Sequence, residues 1–181
     1  MQGCKGLTLV ELVCTMAVVA ILGTVAVPSL RAFLQNAERA ATVNSFFHAL
    51  FLARSEAIKR GEVVSLCRSA DGQRCATRSA QWTDGWIVFA NRDRDDPAER
   101  DAGEQVLAVH EGWDGGFISS NRLTYSFRPH TQGVVNGTIL FCDPRGPSES
   151  RAIIISHTGR PRVSRTDASG KALNCPRSSP S

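Results

Sequence analysis

The chain has 181 residues and is 42% hydrophobic, so that once an N-terminal helix is set aside the remainder is one domain of ordinary size with enough apolar residues for a core, which excludes a multi-domain chain. The formal charge of +4 is modest but uneven: from Arg151 onward five arginines and one lysine stand against Asp167 alone, giving that segment +5 and residues 1–150 a charge of −1. Such a segment suits an anionic partner, or is simply a solvated surface.

The stretch from Gly6 to Leu30, GLTLVELVCTMAVVAILGTVAVPSL, carries no charge between Leu12 and Leu30. About 20 apolar residues in a helix match the hydrocarbon thickness of a bilayer. A secretory signal peptide would place its cleavage site beyond the apolar core, whereas here the processing signal, Lys5-Gly6, precedes it. A carboxylate inside hydrocarbon is costly and needs a partner. If the chain is cut after Gly6, the new α-amino group of Leu7 lies four residues before Glu11, on the same helical face. The same pairing between chains could set their axial stagger.

The run Gly6-Leu7-Thr8-Leu9-Val10-Glu11, followed by an apolar helix and Pro28, resembles the class III signal of type IV pilins and pseudopilins. The resemblance implies residues 1–6 as a prepilin leader, a prepilin peptidase that cuts after Gly6 and methylates Leu7, and a role for Glu11 in subunit assembly. Leu7 stands where that family usually has phenylalanine. The resemblance also implies a single pass through the inner membrane, a periplasmic domain and later incorporation into a surface pilus.

Residues 7–30 are therefore read as a transmembrane and assembly helix, and 31–60 as its amphipathic continuation. In the latter Phe33, Ala37, Ala40, Phe47, Leu50, Phe51 and Ile58 recur mostly at three and four, marking an apolar face for the domain. Pro28 removes a backbone bond and should bend the helix, and Gly61 after Lys59-Arg60 stops it. Residues 61–181 read as strands: Val63 to Cys67, Gly85 to Ala90, Gln105 to His110, Leu123 to Phe127, Thr138 to Cys142 and Ala152 to Ser156. The fold expected is α+β, a long N-terminal helix packed on a mainly antiparallel sheet domain. Residues Cys67 to Gly72, Gly85 to Phe89 and Ile153 to Val163 resemble the GspH/FimT branch of minor pilins and pseudopilins.

Six cysteines divide by location. Cys4 leaves with the leader, and Cys14 lies in the apolar helix, where bulky Val13 and charged Glu11 argue against a lipoprotein signal. Cys67, Cys75, Cys142 and Cys175 allow three connectivities. The short loop and a domain outside the membrane favour Cys67–Cys75 and Cys142–Cys175 in an oxidising compartment. Zinc is the competing reading, but C-x-x-C spacing and nearby paired histidines are missing.

Asn91-Arg92-Asp93-Arg94-Asp95-Asp96 alternates acids like the start of a calcium loop. Started at Asn91, the loop has Asp96 in place of the sixth-position glycine and Ala102 in place of the twelfth-position acid; started at Asp93, it has Pro97 and Ala98 at the fifth and sixth. Interleaved arginines would repel a cation, so the segment reads as a charged connection. His48, His110, His130 and His157 lie in no motif, and neither an enzyme nor a cofactor is expected. Trp82, Trp86 and Trp113 could stack on bases, although Trp86 at least reads as core.

Gly159-Arg160-Pro161-Arg162, continuing Val163-Ser164-Arg165, is the sharpest signal outside the membrane helix. In an extended chain Arg160 and Arg162 share a face with Ser164, while Arg165 points the other way. Pro161 suits a loop or a sheet edge. Two guanidinium groups about six to seven ångström apart can engage successive phosphates. The segment resembles the GRxR motif of FimT-type minor pilins, which lies in a C-terminal loop and binds DNA during uptake. The resemblance implies a minor pilin that binds DNA without sequence recognition in natural transformation, through Gly159, Arg160, Arg162, Arg165 and Lys171. Other pilins are its further partners. Its rivals are a structural subunit that primes or caps the pilus, and a GspH-type pseudopilin of a type II secretion system.

Overall fold

The computed structural model describes residues 8–76, 81–129 and 135–175. Gly6 and Leu7, the expected processing site, lie outside the described residues. The chain divides into two units, Met1–Glu38 and Arg39–Ser181, and helix α1, Leu9–Arg60, contributes to each.

In the first unit α1 opens at Thr8, whose hydroxyl accepts the Glu11 backbone N–H at 3.3 Å. Thr8 thereby caps the helix, with Glu11 at the third helical position, where a carboxylate also meets the positive end of the helix dipole. Glu11 thus has a local reason to be here, whatever its part in assembly. The helix passes Pro28 without a break in its assignment, and its first half is long and apolar enough to cross a membrane.

In the second unit the helix stops where Gly61 takes φ 68° and donates to the carbonyl of Ala57 at 3.0 Å, a left-handed cap that residues with a Cβ adopt reluctantly. The expected apolar face is corrected here. The buried residues are Arg39, Val43, Phe46, Ala49, Leu50, Ala53 and Ala57, while Phe51 is 47% and Ile58 59% exposed. The period of three and four was right; Leu50 is buried as expected and Phe47 packs against the core, but Phe51 and Ile58 lie off the buried face. Small side chains at Ala49, Ala53 and Ala57 let the sheets approach the helix around Phe46 and Leu50, while Phe51 and Ile58 fall on the opposite side.

Among the described residues eight strands follow: β1 Val63–Arg68, β2 Gly85–Asn91, β3 Val106–Glu111, β4 Phe117–Ser120, β5 Thr124–Phe127, β6 Gly137–Cys142, β7 Arg151–Ile155 and β8 Pro161–Ser164. They form two antiparallel four-stranded sheets, ordered β3-β2-β1-β5 and β4-β6-β7-β8, rather than one. Neither β4 nor β8 has a counterpart among the expected strands: the four residues of β4 hold one fully buried apolar side chain, Ile118, and β8 is the segment read as a loop or a sheet edge.

Phe46 joins both sheets to the helix. Its ring lies 4.9 to 6.4 Å from those of Trp82, Trp86, Tyr125 and Phe141, which come from different elements. Removing such a ring costs about 3–5 kcal/mol. Trp82, Trp86 and Trp113 are all at most 3% exposed, so none offers a face to a base.

Candidate nucleic-acid interface

The basic segment begins in the hairpin that joins β7 to β8. Gly159 has φ 73° and donates its N–H to the Ser156 carbonyl at 2.8 Å; Ser156 N–H in turn donates to the Arg160 carbonyl at 3.1 Å. This is a tight turn completed by a residue in the left-handed region, which explains the glycine. The Ser156 hydroxyl accepts the Arg160 N–H at 3.3 Å and bonds the Thr158 hydroxyl at 2.7 Å. From the helix, Arg54 donates Nη1 to the carbonyls of Thr158 and Gly159 at 3.4 and 3.3 Å. The hairpin is therefore held from both ends and from below.

Strand β8 pairs Pro161 with Ile155, Arg162 with Ile154, Val163 with Ile153 and Ser164 with Ala152. Side chains of cross-strand partners share a face. Arg162 thus lies on the face of Ile154 and Ala152, where Leu173 of the tail packs with Leu140. Val163 lies on the face of Ile153, which belongs to the core beneath the helix. Arg160, Arg162 and Arg165 are exposed, and among the described residues their side chains make no hydrogen bond or ion pair. Gly159, by contrast, is buried and serves the turn.

The tail folds back beyond β8. Thr166 bridges Ala172, and one oxygen of Asp167 accepts Ser169 N, Ser169 Oγ and Lys171 N at 2.8, 2.8 and 2.9 Å. These bonds, that from the Ser169 hydroxyl foremost, hold the Asp167 carboxyl below its ordinary range. Lys171 is exposed at the end of this turn. Two residues on, Leu173 is 2% exposed, and the Cys142–Cys175 disulfide fixes the tail to β6. A second disulfide, Cys67–Cys75, closes a short loop whose Asp71 accepts Gln73 N and Arg74 N.

Beneath β7, the loop from Asp143 to Ser150 is pinned by a buried ion pair. Asp143 receives Arg145 through Nε and Nη2 at 2.8 and 2.7 Å, and Arg39 of the helix at 3.1 Å. The Arg145 bonds, helped by Arg39, hold the Asp143 carboxyl down to about 2 despite the opposing effect of burial. Next to it Arg151 donates Nη1 to the carbonyls of Ser148, Glu149 and Ser150. Burial lowers the Arg151 pKa, and repulsion from Arg39 and Arg165 adds to it. The register that sets Ala152 opposite Ser164 continues to Arg151 and Arg165, which puts Arg165 on the opposite side of β8 from Arg162.

The structure thus brings Arg160 and Arg162 together at an exposed sheet edge and sets Arg165 apart from them. Arg54 and Arg151 were not singled out in the sequence. Arg151 was within reach, since it precedes the strand run by one residue, but Arg54 reaches the turn only through tertiary packing.

A helix with an apolar first half, whose second half carries two antiparallel sheets, is the architecture of a pilin. Residues 42–159 match the family described as Type II transport protein GspH, more than half of the chain, and residues 1–27 match the prokaryotic N-terminal methylation motif. The chain belongs to the GspH family of type IV minor pilins and pseudopilins. The methylation motif and the apolar helix are those of a membrane-anchored pilin that is assembled into a pilus.

Among solved structures, the chain is similar to the type IV minor pilin FimU of Pseudomonas aeruginosa strain PAO1 in two crystal forms, at 19% and 18% identity. The alignments cover 78% and 74% of this chain and 96% of that one, each with a TM-score of 0.51, and the likeness is one of fold. No curated protein matches the chain. The family match ends at Gly159, so Arg160, Arg162, Arg165 and Lys171 lie beyond it.

Proposed function

We propose that this chain is a minor pilin of a type IV pilus whose exposed domain binds DNA through its phosphates for uptake in natural transformation. The observation that carries this reading is the exposed pair Arg160 and Arg162, without side-chain partners among the described residues, on a hairpin fixed by Gly159, Ser156 and Arg54. Phosphate contacts position a duplex but read no bases directly, so binding is independent of sequence. Arg165 and Lys171 supplement the pair. On the same reading prepilin peptidase cuts between Gly6 and Leu7, and Glu11 meets the new terminus of a neighbouring pilin during assembly.

The test is a salt titration of the full chain in neutral detergent with fluorescent DNA of unrelated sequences. About two to four neutralised phosphates give a slope of log affinity against log salt of roughly −2 to −4. Replacing Arg160 and Arg162 with alanine together should weaken all sequences equally and flatten the slope by about two units, while Arg92→Ala leaves it unchanged. A folded double variant with the original affinity and slope would replace this reading. The family description, a type II transport protein, then favours a secretion pseudopilin, or a subunit that only primes or caps the pilus.

A further inference from the structure

The cations of the hairpin lie on both sides of one strand. Arg162 shares its face with Ile154, where the tail packs, whereas the β7–β8 register continued by one residue sets Arg165 opposite Arg151, on the side of Ile153. Arg151 is itself anchored on three carbonyls, so that side keeps a fixed positive charge behind Arg165. Between the two sides runs the free margin of β8, the last strand of its sheet.

That margin is shaped against strand pairing. The bond from Ser156 N–H to the Arg160 carbonyl turns the backbone groups of Arg160 toward β7, and alternation does the same for Arg162 and Ser164. Pro161 and Val163 face outward. Pro161 has no N–H to offer a further strand, which protects a sheet edge from one. The margin thus offers only the Pro161 carbonyl and the backbone groups of Val163, whose side chain, 46% exposed, lies on the Arg165 side.

Dimensions decide what such a ridge fits. Sheets stack about 10 Å apart, which is the thickness of one sheet with its side chains. The major groove of B-DNA is about 12 Å wide and the minor groove about 6 Å. We propose that the β8 margin enters the major groove of a DNA duplex edge-on, with Arg160 and Arg162 on the phosphates of one strand and Arg165 on those of the other. This rests on the DNA-binding reading above and narrows its ligand to duplex DNA. A single strand has one backbone and engages one side of the ridge at a time.

The experiment compares a fluorescent duplex with one of its component strands, both titrated with salt against the full chain in neutral detergent. Contacts to a duplex contribute about 0.9 each to the slope and contacts to a single strand about 0.7. Arg165→Ala should flatten the duplex slope by about one unit and leave the single-strand slope unchanged, and Arg165→Lys should restore it. Arg160→Ala with Arg162→Ala should flatten both. Arg165 is exposed and unbonded among the described residues, so these variants keep the fold, which circular dichroism checks.

If Arg165→Ala changes neither slope while the double variant changes both, DNA binding stands and the straddled groove does not. Equal flattening of both slopes by Arg165→Ala means one continuous surface, which also overturns the proposal. Filling the major groove with glucosylated hydroxymethylcytosine should abolish the Arg165 contribution, and a minor-groove ligand such as netropsin should leave it. The reverse pattern places the ridge in the minor groove and overturns it. Failure of the unmodified chain to bind either nucleic acid removes the DNA-binding reading itself.

Discussion

In the loop from Asn91 to Glu104 two of the acids, Asp95 and Glu104, turn to groups of their own loop, and in the tail from Arg151 to Cys175 most of the cations turn outward. Glu104, 6% exposed, accepts the N–H groups of Arg92 and Asp101 at 2.6 and 3.1 Å. Asp95 accepts Asn91 Nδ2 at 2.9 Å and Glu99 N at 2.8 Å, and Arg100 spans the carbonyls of Glu104 and Gln73. These carboxylates close their own loop, and a cation entering it would have to break those bonds. In the tail only Asp167 behaves in this way, while Arg160, Arg162 and Arg165 leave their donors to solvent. A dense run of charge becomes a binding surface only where the neighbouring backbone does not consume it.

The largest effect expected on the tail comes from its covalent tie. Replacing Cys142 and Cys175 together with serine opens a loop with a sequence separation of 33 residues, which in the chain-entropy description costs roughly 4 kcal/mol. Leu173 then loses its hold on Ala152 and Ile154, Lys171 leaves the surface, and the DNA salt slope flattens by about one unit. Denaturant unfolding monitored by tryptophan fluorescence, with and without reductant, measures the stability term. Equal midpoints would mean that the outward cations need no covalent support.

The loop side of the comparison is sharpened by Asn91→Ala. Asn91 is fully buried; it donates to Ser65 Oγ at 3.1 Å and to Asp95, and accepts Arg94 N at 2.7 Å. Truncation strands several of these partners away from water, a loss of about 2–3 kcal/mol. DNA binding by the folded fraction should not change, because the damage stays within that loop. A changed DNA slope at unchanged stability would reverse the assignment of the two regions.

What the sequence disclosed follows from how local each feature is. The apolar run with Glu11, the stop at Gly61 and the turn at Gly159 are written in neighbouring residues, and all are legible there. Strand positions from β1 to β3 and β5 to β7 follow from short apolar runs between turn residues. The phase of the helix is different. Phe47, Phe51 and Ile58 form as good a stripe as Val43, Phe46 and Ala53, and only packing against two sheets decides which is buried. β4 was hidden because a strand of four residues carries almost no periodicity. The division of the basic residues between two sides of β8 needed the β7–β8 register, which no local pattern gives.

The smallest effect expected separates charge from geometry in the tail. Asp167 is the one acid after Arg151, and all three bonds that shape its turn go to a single oxygen, Oδ1. Asparagine offers an acceptor oxygen in the same place. Asp167→Asn should therefore keep the turn, the Thr166 to Ala172 bridge and the position of Lys171, while raising the charge of the tail by one unit. An exposed charge near a phosphate acts weakly, so DNA affinity should rise by roughly 1.5- to 5-fold at low salt. The gain should vanish near 1 M salt, where the Debye length falls to about 3 Å. The matched control is Asp71→Asn, since the Asp71 carboxylate holds a similar turn through one oxygen, in the Cys67–Cys75 loop. Removing that charge should leave DNA affinity unchanged. Equal gains from both variants would mean that net charge alone attracts DNA, and the β7–β8 hairpin would lose its special place.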